Sequence, residues 1–235
     1  MILPALVAAL AGVVRGITGF GGAMVMAPPL ALLLGPKLAV PVVLFLESLA
    51  AAPQVIETRR LVRWKVVGPM LAATCVTIPI GGYFLATADP QTIRRATAAV
   101  VIAFSLLLLR GWRYTGSQRL LTGIGLGGLA GGMLGATSIG GPPVILYLLA
   151  GPDRIETTRA NLTLFVAGSC VAGLALLLAQ GVVEASAIGA ALWLAPGYYA
   201  GLVFGTRLFS RFNDVRFRRF TLLLMIAVSI GILLA

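Results

Sequence analysis

The amino-acid sequence predicts an all-α polytopic membrane protein with two inverted structural repeats, each a broken or re-entrant helical hairpin followed by three transmembrane helices. Three observations support this fold class. Hydrophobic residues make up 59% of the 235 residues and charged residues only 11%, whereas a soluble domain carries about 25% charged residues. The apolar residues form runs of membrane length. Finally, glycines interrupt two of these runs at corresponding positions of the two halves of the chain.

Eight apolar runs follow one another along the chain, separated by short connections. A transmembrane helix needs about 20 apolar residues, and six of the runs fit one crossing each. The first and the fifth, at 33 and 31 residues, are too long for one ordinary crossing. We therefore expect a single transmembrane domain in which residues 1–115 form an N-terminal repeat and residues 116–235 a C-terminal repeat. The expected elements are a broken hairpin at 2–34 with helices at 38–56, 66–86 and 93–109, and a broken hairpin at 120–150 with helices at 155–179, 185–208 and 217–234.

The two halves share a pattern of small and polar residues at constant spacing. Two sets of matches, at offsets of 119 and 124 positions, indicate that one four-run unit occurs twice. Small residues four apart let helices approach closely, so we assign Gly12 and Gly16, together with the glycines at 127, 128, 131 and 132, to helix packing. The first set pairs Gly12, Gly16, Thr18, Gly21 and Gly22 with Gly131, Gly135, Thr137, Gly140 and Gly141, and the second pairs Gly81, Arg94 and Arg95 with Gly205, Arg218 and Arg219.

The distribution of Lys and Arg predicts the topology. If every run crossed once, the loops on the two faces would carry 10 and 7 of these residues. If each long run instead enters and returns on the same side, the two faces carry 14 and 3, with Arg15 left out of the count. Cytoplasmic loops are enriched in Lys and Arg, so the second topology is favoured. It places equivalent loops on opposite faces, which makes the halves an inverted repeat whose breaks approach each other from opposite sides.

The two breaks supply the strongest functional signal. Unpaired backbone groups are costly in hydrocarbon, so a broken helix is tolerated only where it is buried in protein or lines a cavity. Paired breaks in two halves point to a transporter's binding site. Each second half-helix starts with free N–H groups and a positive dipole end, and hydroxyl groups lie beside it. These features favour a small anion, and the predicted substrate-binding residues are Thr18, Gly19, Phe20, Gly21, Gly22, Thr137, Ser138, Ile139, Gly140, Gly141 and Pro142.

Three further residues are candidates for coupling or for electrostatic attraction of the substrate, since polar and ionisable groups inside a membrane are functional candidates by default. Glu47, in the second run, either couples transport to protons or pairs with Arg15 as a structural partner. Arg15, before the first break, either attracts the anion or lies in cytoplasmic water at the tip of a hairpin. Asn161 lies in the sixth run, around the region equivalent to Glu47.

Residue types that the sequence lacks exclude several kinds of chemistry. Histidine is absent, which excludes a Ser-His-Asp triad and histidine-based metal sites. Cys75 and Cys170 lie in separate apolar runs, where small buried packing residues are the ordinary interpretation. We therefore expect no metal, no cofactor and no catalysis. The net charge of +11 is assigned to topology and to anionic lipid headgroups, and no nucleic acid is expected as a partner.

At these residues the chain resembles the sulfite exporter TauE/SafE family. The resemblance covers nearly the whole length, and its motifs keep their order and their repetition. It implies a protein that moves sulfite, an organosulfonate such as sulfoacetate, or a related anion across the bacterial inner membrane. The motifs are Gly-Phe-Gly-Gly at 19–22 followed by Pro28-Pro29, Ser-Ile-Gly-Gly-Pro-Pro at 138–143, Arg-Arg-x-x-Arg-Trp at 59–64, and Gly201 and Gly205 followed by Phe217-Arg218-Arg219.

We therefore expect a multi-pass protein of the bacterial inner membrane with cytoplasmic basic loops. It would export sulfite or an organosulfonate by alternating access, with the anion bound near the midplane between the two breaks. An anion channel with the same site but no coupling is the alternative. A membrane enzyme or assembly subunit is disfavoured because no nucleophile–base pair and no metal cluster stands out. The expected partners are the small anionic substrate and the lipid bilayer, and homodimerisation is left open.

Overall fold

Helices account for nearly all of the described chain, which confirms the predicted all-α class. The computed structural model describes residues 2–18, 21–110, 119–149, 151, 153–209, 222–223 and 225–231. A short 3-10 helix spans Arg59–Leu61, and residues 225–231 are also helical. The α-helices of the described part are α1 (Ile2–Thr18), α2 (Gly22–Leu34), α3 (Pro36–Thr58), α4 (Trp64–Thr87), α5 (Pro90–Leu109), α6 (Leu120–Thr137), α7 (Gly141–Leu149), α8 (Ile155–Ala179) and α9 (Ala185–Phe209).

Six of these helices are long and apolar enough to cross a membrane, as a multi-pass protein requires. The halves of the two broken runs are less uniform: α1 and α2 have 17 and 13 residues, whereas α6 has 18 and α7 only nine. Much of the predicted last helix, 217–234, lies outside the described residues. The membrane-length segments are Pro36–Pro53, Trp64–Thr87, Pro90–Leu109, Leu120–Thr137, Glu156–Ala179 and Ala185–Arg207.

The second broken run folds back on itself as a hairpin. After α6 ends, Gly140 lies so close to the preceding helix that an added β-carbon would stand 2.5 Å from the carbonyl oxygen of Ala130. Helix α7 then returns toward the start of α6, where the Tyr147 hydroxyl donates to the carbonyl oxygen of Arg119 at 3.0 Å. In the first broken run, α2 likewise packs against α1. In each broken run the second helix therefore packs against the first, which is consistent with the predicted hairpins.

Glycines bring two pairs of helices into close contact. Gly127, Gly131 and Gly135 of α6 each lie against the α4 backbone, at Met70, Thr74 and Ile78 respectively. Because the contacts advance by four residues on both helices, α4 and α6 run parallel. Gly201 and Gly205 of α9 lie in the same way against Ala9 and Val13 of α1, so α1 and α9 are also parallel. A side chain at any of these positions would separate the helices, which is the role that small residues have in membrane helix packing.

These contacts confirm most of the glycine assignment. Gly12 and Gly16 lie against backbone atoms of α9, at Tyr198 and Leu202. Of the four glycines assigned on α6, Gly127 and Gly131 pack tightly, whereas an added β-carbon at Gly128 would meet only the Thr77 methyl group at 3.6 Å. At Gly132 it would meet nothing within 4 Å. An added side chain at these two positions would therefore not be forced into the α4 backbone, because they lie one residue further round the helix than Gly127 and Gly131.

Equivalent positions of the two halves make equivalent contacts. Gly81 of α4 lies against the carbonyl oxygen of Gly132 in α6, and Gly205 of α9 lies against that of Val13 in α1. Gly81 and Gly205 are 124 positions apart, and Val13 and Gly132 are 119 positions apart. These are the two offsets of the sequence repeat. The first helix of each half therefore packs on the other half, and the halves interlock.

Contacts between loops fix the relative directions of the helices. The backbone N–H of Arg63, just before α4, donates to Asn161 Oδ1 near the start of α8 at 2.8 Å, and the Arg63 side chain pairs with Asp153. At the opposite end, Gln180 Nε2 donates to the Pro79 carbonyl oxygen at 3.1 Å. Helix α8 thus begins where α3 ends. The equivalent helices α3 and α8 run in opposite directions, which is consistent with an inverted repeat and incompatible with a single crossing by every run.

Candidate functional site

The two breaks meet around one internal cavity of ≈ 40 Å³. A volume of this size has room for a few water molecules. Gly21 of the first break lines it, together with a continuous stretch of the second break from Ser138 to Pro142. The remaining walls come from α1, α2, α3, α6, α7 and α8, and consist of Arg15, Ala23, Met24, Glu47, Leu134, Ile145, Val166, Ser169 and Cys170.

A buried ion pair forms part of the cavity wall. Arg15 Nη1 pairs with Glu47 Oε2, and the two residues are only 2% and 1% exposed. The hypothesis that Arg15 lies in cytoplasmic water is therefore wrong, because the return of α2 and the packing of α9 enclose the end of α1. Of the two interpretations of Glu47, the pairing with Arg15 is observed. Removing two charges from water is expensive, and only good geometry with further hydrogen bonds compensates for it.

Tyr198 supplies one of those further hydrogen bonds. Its hydroxyl donates to Glu47 Oε1 at 2.8 Å, and the residue is fully buried. Tyr198 belongs to α9, so the charge cluster joins three helices from both halves of the chain. Tyr198 is not among the site residues predicted from the sequence. A tyrosine three positions before Gly201, on the glycine-rich face of α9, was the available signal, but nothing in the sequence links it to a carboxylate 151 positions away.

One polar atom of Arg15 lacks a partner. Its Nε is buried and makes no hydrogen bond to any residue that the structure describes. Nearly all buried polar groups in proteins are hydrogen-bonded, so an exception requires an explanation. Arg15 is also one of the residues that line the cavity.

At the first break the chain places a helix start against the Glu47 carboxylate. Gly21 caps α2 in the left-handed conformation, with φ 93°, which glycine adopts at low cost. An added β-carbon at the next residue, Gly22, would clash with Glu47 Oε1 and stand 3.0 Å from the Tyr198 hydroxyl. Glycine is therefore needed here so that the carboxylate can approach the first turn of α2. That turn carries unpaired N–H groups and a partial positive charge.

The second break is built differently. Ser138 ends α6 in the left-handed conformation, with φ 60°. The Thr137 hydroxyl donates to the Met133 carbonyl oxygen at 2.7 Å, and the Ser138 hydroxyl donates to the Thr137 carbonyl oxygen at 2.5 Å. Both predicted side-chain donors are thus engaged with the backbone. Thr137 does not line the cavity, whereas Ser138 does.

The start of α7 is open toward the cavity. An added β-carbon at Gly141 would meet only two flexible side-chain ends, Ile145 Cδ1 at 3.3 Å and Val166 Cγ2 at 3.9 Å. Pro142 and Pro143 have no N–H, so the first turn of α7 offers fewer donors than a helix start normally does. Gly141 and Val144 carry the remaining N–H groups of that turn, where a helix leaves its first donors without intrahelical partners.

The remaining predicted site residues either do not line the cavity or lie outside the described residues. Gly19 and Phe20 lie outside the described residues, and so does the side chain of Thr18, the last residue of α1. Asn161 does not line the cavity. It is buried beside the α3–α4 connection, where it accepts the hydrogen bond from Arg63. On α8 the cavity is instead lined by Val166, Ser169 and Cys170.

The cysteines differ in their surroundings. Cys170 is buried, as expected of a packing residue, but it also lines the cavity. Cys75 is only partly buried. Both are free thiols. Within the described ranges, no group of three or more His, Cys, Asp or Glu side chains is placed to hold a metal ion.

Membrane-length helices and a buried charge cluster at an internal cavity define a multi-pass membrane protein with a polar centre. The family model of the sulfite exporter TauE/SafE family matches residues 4–232, so the chain belongs to that family of membrane anion exporters. No curated protein and no solved structure matches it significantly.

Proposed function

We propose that the protein is a secondary transporter that exports sulfite or an organosulfonate by alternating access, with the anion bound in the cavity between the two breaks. One observation carries this proposal: a buried guanidinium with an unpartnered Nε lies beside a cavity that both breaks line. A buried donor of this kind suits an oxyanion, because hydrogen bonds between ionised partners are shorter and stronger than neutral ones.

The donor set supports a group with several oxygens. Arg15 contributes an unpartnered Nε, and Gly141, at the positive N-terminal end of α7, also lines the cavity. The planar guanidinium recognises carboxylates, phosphates and similar oxyanions better than an ammonium does. Sulfite and the sulfonate group each present three oxygens. A cavity of ≈ 40 Å³ suits such a head group in place of a few water molecules.

A carrier is better supported than a channel. An open channel needs a continuous wet path, whereas the Arg15–Glu47 pair is almost completely buried. The described cavity is small and its walls include Met24, Leu134 and Ile145. Passage of an anion therefore requires a rearrangement of the helices around the cavity, and this is the defining property of alternating access.

Counterflow in proteoliposomes tests the proposal. Labelled sulfite or sulfoacetate should accumulate against unlabelled substrate, and its initial rate should saturate. Gly141→Val places a branched side chain between the cavity and α7, so it should lower the rate by at least about tenfold, or about 1.4 kcal/mol of transition-state stabilisation. The matched control is Gly125→Val on the same hairpin, where an added β-carbon meets nothing within 4 Å.

Three results distinguish a carrier that uses this cavity from a channel and from a transport path that avoids the cavity. Saturable counterflow that Gly141→Val abolishes and Gly125→Val preserves supports a carrier with this site. A flux that rises linearly with concentration and shows no counterflow identifies a channel. Equal rates in the two variants would remove the cavity from the transport path.

A further inference from the structure

The Glu47 carboxylate occupies the place where an anion is expected at the first break. It lies against Gly22 in the first turn of α2, pairs with Arg15 and accepts the Tyr198 hydroxyl hydrogen at 2.8 Å. A helix start, a guanidinium and a hydroxyl are the groups that bind oxyanions in proteins. The Glu47 carboxylate thus fills the anion position at the first break, the start of α2.

The corresponding position at the second break has no such occupant. Around Gly141 an added β-carbon would meet only aliphatic atoms of Ile145 and Val166. The cavity opens between this helix start and Arg15, whose Nε is unpartnered among the described residues. A substrate anion bound there would share the Arg15 guanidinium with Glu47.

This sharing creates an electrostatic conflict. In the empty site one cation and one carboxylate cancel, and their burial keeps solvent from screening any further charge. An arriving anion adds a second negative charge beside a carboxylate that cannot leave the membrane. Like charges that share a buried site cannot both remain ionised unless another cation joins them.

The charged and titratable groups that face Glu47 offer no such cation. Helix α1 contributes Arg15, α9 contributes Tyr198 and α8 contributes Cys170, while α2 faces Glu47 with Gly22. Arg15 is the one cation among these described groups, and the pair already uses it. These described groups therefore cannot supply the missing positive charge, whereas a proton from solution can.

We propose that Glu47 takes up a proton when the anion binds Arg15, so that each anion crosses with one proton. The proton joins the Glu47 carboxylate on the side where the anion arrives and leaves it on the side where the anion departs, and no other bond changes. Tyr198 suits both states, because its hydroxyl can donate to a carboxylate and accept from a carboxylic acid. This inference rests on the proposed function and names its coupling ion.

The test measures protons and anions in the same proteoliposomes. Methanesulfonate is a suitable probe, since its sulfonate is ionised at neutral pH, carries a single negative charge and brings no proton of its own. Labelled methanesulfonate reports the anion, and a pH-sensitive dye trapped in the lumen reports protons. The measured quantity is the ratio of protons to anions, which a change in rate leaves unaffected.

The wild type should move about one proton per anion, and an inward proton gradient should drive accumulation of methanesulfonate. Glu47→Gln cannot carry the proton, so its ratio should fall to near zero and the gradient should no longer drive accumulation. Glu184→Gln is the matched control, because this exposed carboxylate lies in the α8–α9 connection far from the cavity lining. Its ratio should equal that of the wild type.

Several outcomes would overturn the inference. Wild-type counterflow without proton movement does so, and so does a Glu47→Gln protein that still moves one proton per anion. If Glu47→Gln moves no anion, the Glu47→Asp variant is measured instead. A proton-to-anion ratio near one at a lower rate supports the inference, and a ratio near zero refutes it. Absence of anion counterflow in the wild type refutes the proposed function itself, which distinguishes the two failures.

Discussion

At the scale of single residues, the buried Arg15–Glu47 pair is energetically costly. Replacing a buried ion pair by well-packed apolar residues is often neutral or stabilising, whereas removing one partner alone leaves an uncompensated buried charge. The pair is enclosed by α2 and by Tyr198 of α9. Stability alone therefore does not account for it, and the function proposed for the cavity does.

A double-mutant cycle tests the coupling of the two charges. Arg15→Gln and Glu47→Gln should each destabilise the protein by roughly 3–5 kcal/mol, because each leaves one buried charge unpaired. The double variant should be less destabilised than the sum of the two, since it leaves no charge. Thermal unfolding in detergent measures all four proteins. Strictly additive losses would mean that the two charges do not interact.

The sequence was sufficient to identify these two residues but not to place their partners. A charged residue in an apolar run is conspicuous, so Arg15 and Glu47 were both candidates. The choice between pairing and solvent exposure depended on how α2 and α9 enclose them, which involves residues far apart in sequence. The assignment of Asn161 to the region of Glu47 misses the cavity, whose α8 residues begin at Val166. Five residues along a helix amount to about 7.5 Å.

At the scale of helices, the glycines have two distinct tasks. Those at Gly131, Gly135 and Gly205 let helix backbones touch, and those at Gly22 and Gly141 leave room around the charged centre. Both tasks could be anticipated from the sequence, because spacing by four residues differs from a cluster that interrupts a run. Their geometry could not, because the hairpins differ in where the returning helix ends: α2 and α7 begin at equivalent positions, but α2 continues to Leu34 whereas α7 ends at Leu149.

Loss of a packing glycine should separate α4 from α6. Gly131→Leu drives a side chain into the carbonyl group of Thr74, and overpacking of a core typically costs about 1–3 kcal/mol or more. Gly125→Leu on the same helix should have little effect, because its β-carbon meets nothing within 4 Å. Gel filtration and thermal unfolding in detergent compare the two. Similar behaviour of both variants would contradict the observed helix contact.

At the scale of the whole molecule, loop contacts and loop charges lead to the same topology by independent routes. Charge counting favoured hairpins that return to their own side, and the contacts of Arg63 with Asp153 and Asn161 place two loops at one end of the bundle. The hairpin topology could be predicted from the sequence because the bilayer restricts the length of a spanning helix and the distribution of charge among the loops. It did not predict that α1 packs on α9 and α6 on α4, since many helix pairs carry glycines at suitable spacing.

Labelling of single cysteines in intact cells tests this topology. With Cys75 and Cys170 replaced by alanine, Lys37→Cys should react with a membrane-impermeant maleimide. Lys65→Cys and Arg154→Cys should react only after permeabilisation, because the loop charges place that end in the cytoplasm. All three positions are exposed. Opposite reactivity of Lys65→Cys and Arg154→Cys would contradict the hairpin fold, and equal reactivity of Lys37→Cys and Lys65→Cys would contradict the direction of α3.

The interlocking of the halves has a consequence for biosynthesis. Helix α6 is synthesised soon after α4, so its glycine face finds its partner almost at once. Helix α1 is made first, yet Ala9 packs against Gly201, near the far end of the chain. Ribosomes add about 5–20 residues per second, so α1 waits on the order of ten to forty seconds for α9. During that time its glycine face and Arg15 meet lipid or the insertion machinery, and this nascent stage is the one most exposed to misassembly.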